Sequence, residues 1–179
     1  FNKHLVTIKE LGFQTITASH LYDIITGQKK LNGKYIVLTF DDCHISNWVY
    51  TIPLLARLNM HGVFFAVTDF IETAPPREPE SIRNLAKLSH AFRMALKDND
   101  YSQFMNLGEL KAAIQDFGME VYSHTSRHQG CFINLQQTGT VATNAHWSIY
   151  GIYNNPQPED PVFKIGSAYA YNGYWPEEN

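Results

Sequence analysis

Residues 35–67, "YIVLTFDDCHISNWVYTIPLLARLNMHGVFFAV", decide the fold class. "YIVLTF" is almost continuously apolar and rich in β-branched side chains, the pattern of a strand buried on both faces. "SNWVYTIPLLARLNMHG" then sets Trp48, Ile52, Leu55 and Leu58 at helical spacing despite Pro53, and stops at Gly62. "VFFAV" is a second continuous apolar strand. Strand, helix and strand in so short a space make a βαβ unit, whose strands run parallel. At the end of the first strand stand two adjacent carboxylates, Asp41 and Asp42. Neighbouring negative charges beside a buried strand cost stability unless something there uses them.

The flanking segments continue the alternation. "FNKHLVTIKELG" reads as a helix ending at Gly12, "FQTIT" as a short strand, and "HLYDIITG" as a helix capped by Ser19 and closed by Gly27. Residues 72–81 are a Pro-rich loop, followed by a helical stretch from Ser81 to Lys97 with Ile82, Leu85, Ala86 and Phe92 on one face. "LGELKAAIQDFG" is a further helix, with Leu110, Ala113, Ile114 and Phe117 on its buried side. "MEVYS" is a short strand that delivers "HTSRH". From Gln129 onward periodicity fades into a loop-rich region, with "VFKIGSAYAY" as a last strand. The reading is one α/β domain over residues 1–179, either a barrel or a doubly wound sheet.

Composition narrows the function. The chain is 44% hydrophobic and 17% charged, which suits a globular core. Its net charge of −3 gives no basic footprint for nucleic acid or anionic membrane. No apolar run is long enough to be a transmembrane segment. The 10 tyrosines, 11 phenylalanines and 3 tryptophans suit either a sugar-binding groove or an aromatic core. Two cysteines, Cys43 and Cys131, cannot build a disulfide framework and read as free thiols. The start at Phe1 and the end at "WPEEN" lead us to expect a piece of a longer chain, so the lack of a signal pattern does not define a compartment.

In parallel α/β folds functional groups gather at the C-terminal ends of strands. Asp41 and Asp42 end one strand; His124 and His128 end another, on the same rim. Each pair has a plain reading alone. A chain with 8 histidines shows such a spacing by chance, and an Asp doublet can simply solvate a strand end or the start of a helix. Together they are more informative. Two imidazoles and one carboxylate form a facial set for a divalent metal, with positions left for water and substrate. The other carboxylate then has a task, taking a proton from an attacking water. Spacing alone does not say which aspartate does which.

These residues resemble a known family. "LTFDDC" is similar to the first motif, TFDD followed by Gly, of polysaccharide deacetylases of the NodB-homology type. "SHTSRH" is similar to the second, His-Ser/Thr-x-x-His, and "GMEVYSHTSRH" carries the usual lead-in. The resemblance covers about residues 1–130. It implies a distorted (β/α) barrel with fewer strands than a full eight-stranded barrel. It also implies that Asp41 is the catalytic base and that Asp42, His124 and His128 hold the metal. The implied reaction is removal of N-acetyl groups from a GlcNAc-type polysaccharide or oligosaccharide, in an extracytoplasmic setting. The implied cofactor is one divalent ion, Zn²⁺ first, with Co²⁺, Ni²⁺ and Fe²⁺ acceptable to the same ligands. Thr125, between the histidines, is read as shaping their loop.

Departures from the pattern set the alternatives. Cys43 stands where the family has glycine. The third motif, Arg-x-Pro-Tyr, has its nearest counterpart in "AYNGYWPEEN", which offers Pro176 but no arginine. That segment supplies Tyr174 and Trp175 as substrate-binding candidates. His146 in "TNAHWS" is considered as the acid and read instead as a surface histidine. The alternatives are a degenerate domain that binds metal or glycan without hydrolysis, and an amidase for small non-sugar amides.

Overall fold

The structure is a computed structural model that describes residues 1–143 and 146–175. Helix α1 (Asn2–Glu10) leads into β1 (Phe13–Thr15), and α2 (Ala18–Ile25) follows. Thr17, not Ser19, caps α2: its Oγ1 accepts the His20 N–H at 3.1 Å. Ser19 lies inside the helix and donates its hydroxyl to Glu120 Oε1 at 2.6 Å.

"YIVLTF" is two strands rather than one, β2 (Lys34–Ile36) and β3 (Thr39–Phe40). The break marks a change of partner. Ile36 O accepts from Ile16 N at 3.0 Å, while Leu38 O accepts from Val63 N at 2.8 Å. Within two residues the chain passes from β1 to β4 (Val63–Val67), and both pairings are parallel. The expected crossover helix is present but begins as a π-helical turn, Asn47–Thr51, before α3 (Ile52–Leu58). Pro53 sits at the start of α3, directly after the π-helical turn. Trp48, Ile52 and Leu55 are buried as their spacing predicts.

The second half departs further from the sequence reading. Helix α4 spans only Leu88–Asp98, not Ser81–Lys97. The Gln103 side chain explains the difference. Its Oε1 accepts from Ala86 N at 2.8 Å and its Nε2 donates to Asn84 O at 3.2 Å, so residues 84–86 are held outside the helix. Helix α5 (Leu107–Gln115) buries Leu110 and Ala113 as expected, but Ile114 is exposed. Then come β5 (Glu120–Thr125), β6 (Gly130–Thr140), the short α6 (Ile149–Ile152) and β7 (Pro161–Ser167). The region read as loop-rich therefore holds the long strand β6, paired antiparallel with β7.

The strands form three separate sheets: β1–β2, the all-parallel β3–β4–β5, and β6–β7. The fold is mixed α/β, and the described residues do not close a barrel. Phe64, Leu55, Leu110 and Met119 meet in one core, with Cys43 and Ile45 among its buried members. Phe70, Phe92, Ala95 and Phe104 form a second core.

The Pro-rich loop is clamped to the start of α5. Asn106 and Glu109 form a capping box, and Arg77 lays its guanidinium on Glu109 with Nε–Oε1 at 2.6 Å and an Nη–Oε2 contact at 2.9 Å. Gly108 is required by this closeness: a Cβ there would stand 2.5 Å from Pro76 N and 2.6 Å from Ala74 O. Both are backbone atoms with no room to yield. Gly108→Ala is expected to destabilise the fold by about 1–3 kcal/mol, the usual cost of overpacking, read as a lower denaturant midpoint.

Candidate metal centre

The central sheet brings both clusters to one rim, at the C-terminal ends of β3 and β5. Beyond β3 the chain turns through two left-handed residues, Asp42 (φ +68) and Cys43 (φ +50). Aspartate tolerates this region; a cysteine rarely adopts it, and glycine does so freely. The φ of Cys43 thus gives the physical reason for a glycine at this position in the resembled motif. After the turn the chain is tied to residues 103–105. Met105 N donates to Cys43 O at 2.9 Å, and Ile45 N donates to Gln103 O at 2.8 Å.

On β5 the register against β4 shifts: Ala66 faces Ser123, but Val67 faces Thr125. His124 is the extra residue of this bulge, a device that re-aims a side chain at a sheet end. The following turn closes when Thr125 Oγ1 accepts the His128 N–H at 3.0 Å, with His128 itself at φ +50. Thr125 shapes the loop, as the sequence suggests.

Asp42, His124 and His128 converge. Asp42 Oδ1 lies 3.5 Å from His124 Nε2 and 3.4 Å from His128 Nε2, and three such ligand atoms all fall within 4.8 Å of one another. Asp42 is only 8% exposed, and its Oδ1 is buried without a hydrogen-bond partner. A buried carboxylate oxygen without a partner is costly. Two donor atoms each about 2.1 Å from one ion at a tetrahedral angle stand roughly 3.4 Å apart. The two spacings from Asp42 match that value and are long for direct hydrogen bonds. The donor set therefore fits a divalent ion.

Burial pushes the Asp42 carboxyl above its ordinary range; His128 and then His124 pull it back, and Asp41 adds to the rise. A cation in the triad would favour the ionised form. Asp41 itself is exposed and stands outside the triad. Burial, with the Asp42 and Asp41 charges, pushes the Cys43 thiol up to about 12. Cys43 belongs to the core and not to the ligand group.

His128 is braced by aromatic rings, Phe92 at 4.8 Å and Trp147 at 5.5 Å between centroids, and Trp147 stacks on Phe92 at 4.4 Å. Beside it lies a cavity of about 180 Å³ lined by His128, Gly130, His146, Trp147 and Ser167. His146, read from sequence as a surface residue, is exposed but shares this cavity with His128. Its Nδ1 pairs with Ser148 Oγ at 2.7 Å, and burial together with Arg93 holds the ring below its ordinary range. Trp147 carried no signal in the sequence, because its contacts are with Phe92 of α4 and with His128, both distant along the chain. Tyr174 and Trp175 are about half exposed, and Tyr174 N donates to Phe132 O on β6 at 2.7 Å. The structure does not bring them into the triad. Pro176 lies outside the described residues.

A sequence model of the polysaccharide deacetylase family matches residues 28–152, which include both motifs. The chain belongs to the polysaccharide deacetylase family. A curated Bacillus subtilis (strain 168) relative, YxkH, is a polysaccharide deacetylase by name. It is 25% identical over 87 residues, which make up 49% of this chain and 31% of YxkH. The BpsB deacetylase domain of Bordetella bronchiseptica matches with a TM-score of 0.57 at 25% identity, over 76% of this chain and 47% of that one. A de-N-acetylase from Aggregatibacter actinomycetemcomitans matches with a TM-score of 0.55 at 22% identity, over 73% and 45%. The second structural likeness shows the fold alone. This member of the deacetylase family spans less than half the length of these relatives.

Proposed function

We propose that the chain is the metal-binding part of a hydrolase that removes N-acetyl groups from a GlcNAc-type polysaccharide at or outside the cell surface. The observation that carries this reading is the buried, unpartnered Asp42 Oδ1 set between two imidazoles. In this reading the parallel sheet is one wall of a distorted (β/α) barrel. Among the described residues no helix is long and apolar enough to cross a membrane.

Asp42, His124 and His128 hold the ion, for which Zn²⁺ suits the donors best and Co²⁺, Ni²⁺ or Fe²⁺ are tolerated. A divalent ion there supplies a Lewis acid for the acetyl carbonyl and favours ionisation of a nearby water. Asp41 takes the proton of the attacking water, which its exposed position allows. The division of labour follows burial: the aspartate shut into the triad binds, and the one open to solvent moves the proton. The His128 turn and its aromatic braces keep one ligand imidazole fixed. Tyr174 and Trp175 offer half-exposed rings against which pyranose faces can pack.

Acetate release from N-acetylated glucosamine oligomers tests the reading. Chelation followed by dialysis is expected to abolish release, and added Zn²⁺ or Co²⁺ to restore it. Release that survives chelation would sink the metal-dependent mechanism. One observation favours a second reading: residues 170–179, the nearest counterpart of the family's third motif, carry no arginine. A domain that binds ion and glycan without turnover would show near-stoichiometric metal and no acetate from any glycan. Release of acid from small cyclic amides, but not from acetylated sugars, would point to an amidase instead.

A further inference from the structure

The cavity beside His128 shares that imidazole with the triad. Its Nε2 faces Asp42 Oδ1 at 3.4 Å while the ring borders the cavity, so it is a wall common to both. The other walls are the half-buried Trp147 and Ile165; buried Gly130 and Ser148 form the floor, and exposed His146 and Ser167 mark the mouth. A Cβ on Gly130 would stand 3.0 Å from Ser148 Cβ and 3.3 Å from Ile165 Cγ2, so the floor is closed. Among the described residues no Asp, Glu, Lys or Arg lines the space. Its polar side chains already have partners. Gln129 Nε2 donates to Gly151 O at 2.9 Å, Ser148 Oγ pairs with His146 Nδ1 at 2.7 Å, and Ser167 Oγ accepts the Tyr169 N–H at 3.3 Å. What is left for a ligand is mostly carbon: the Trp147 ring, the Ile165 side chain and two glycines.

We propose that this cavity takes the carbon tail of the acyl group, and that the chain hydrolyses N-acyl sugars with tails longer than acetyl, of the butyryl class. Size is the first reason. The cavity holds about 180 Å³, against the roughly 150 Å³ of an apolar cavity that accepts a benzene. A methyl group would leave most of it empty, and an apolar lining without partner atoms forfeits its contacts. Chemistry is the second, since a space without charges and with its polar side chains engaged favours an apolar tail. In the hydrolysis the water oxygen bonds to the acyl carbon and the C–N bond breaks. One proton of the water passes to the leaving amine, and the carboxylic acid departs with the other. The proposal rests on the reading that the triad hydrolyses an N-acylated glycan, and it widens the acyl group that is taken.

Calorimetric titration with N-acetyl and N-butyryl glucosamine tetramers tests it, using the Asp41→Asn protein, in which hydrolysis is slow on this reading. The butyryl tetramer is expected to bind about tenfold tighter, the scale of burying two more methylene groups. Ile165→Phe in the same background fills the cavity and is expected to remove most of that preference. Ser167→Phe, at an exposed position, narrows the mouth in a folded protein and is expected to do the same. Equal affinity for the two tetramers, or tighter binding of the acetyl one, overturns the pocket. So does a preference that survives both substitutions. Acid release by the intact chain is scored separately, with butyrate expected to form at least as fast as acetate. Acetate without butyrate overturns the inference and leaves the hydrolase reading standing. If neither acid is released, the hydrolase reading fails, while the binding preference still decides the pocket.

Discussion

Replacing Asp41 by asparagine is expected to lower acetate release by about 10²–10⁴-fold, the usual contribution of a positioned general base. The bound ion is expected to remain. Asparagine keeps the size of the side chain and removes only its capacity to accept a proton. Asp41 is outside the ligand triad, so Asp42, His124 and His128 stay in place. Its charge also raises the Asp42 carboxyl, so its removal leaves Asp42 easier to ionise. That gain opposes the loss of one nearby negative charge, and ion affinity should change little. Metal content after gel filtration, measured beside acetate release, separates the two aspartates. Asp42→Asn should lose the ion together with activity, whereas Asp41→Asn should lose activity alone. Undiminished release from Asp41→Asn, or loss of its ion, would show the roles to be wrongly divided.

Much of this site could be read in the sequence because it depends on strand ends. Two apolar runs, each stopping at titratable residues, are enough to put Asp42 and the histidines on one rim. The local geometry that makes them meet was not legible. No spacing rule shows that Asp42 and Cys43 are both left-handed, or that His124 is the extra residue of a bulge. Strand β6 escaped because its register against β7 shifts twice, between Phe132 and Gln137 and again before Gly139. Its burial therefore runs from three buried residues to four exposed ones instead of alternating. The error in α4 has the opposite origin. Ile82 and Leu85 pack on the core at a spacing that imitates a helix, while the Gln103 side chain takes the backbone hydrogen bonds of Asn84 and Ala86. Trp147 and the cavity beside it depend on this second half, so the candidate triad was readable and its surroundings were not.

Glu109→Ala is expected to destabilise the protein by about 3–5 kcal/mol, the cost of breaking a buried ion pair from one side. The Glu109 side chain is fully buried, and its partner Arg77 is 30% exposed. Glu109 receives Arg77 through Nε, an Nη group and the backbone N–H, and it also accepts the Asn106 N–H at 2.9 Å. Alanine would strip the cap from α5 and leave the guanidinium without its anion. The effect should also reach the metal centre. Arg77 donates to Ser102 O at 2.6 Å and to Phe104 O at 2.8 Å, and so fixes the segment 102–104. That segment and Met105 hold Cys43 and Ile45 through backbone hydrogen bonds, directly after the left-handed turn of Asp42. Ion affinity should therefore fall in Glu109→Ala even at temperatures where the chain remains folded. Glu109→Gln retains the shape and part of the cap, so it should lie between the two. Denaturant midpoints and zinc titrations under native conditions measure the two effects independently. An unchanged midpoint would refute the clamp. A lowered midpoint with unchanged ion affinity would show that the Asp42 turn holds its shape without it.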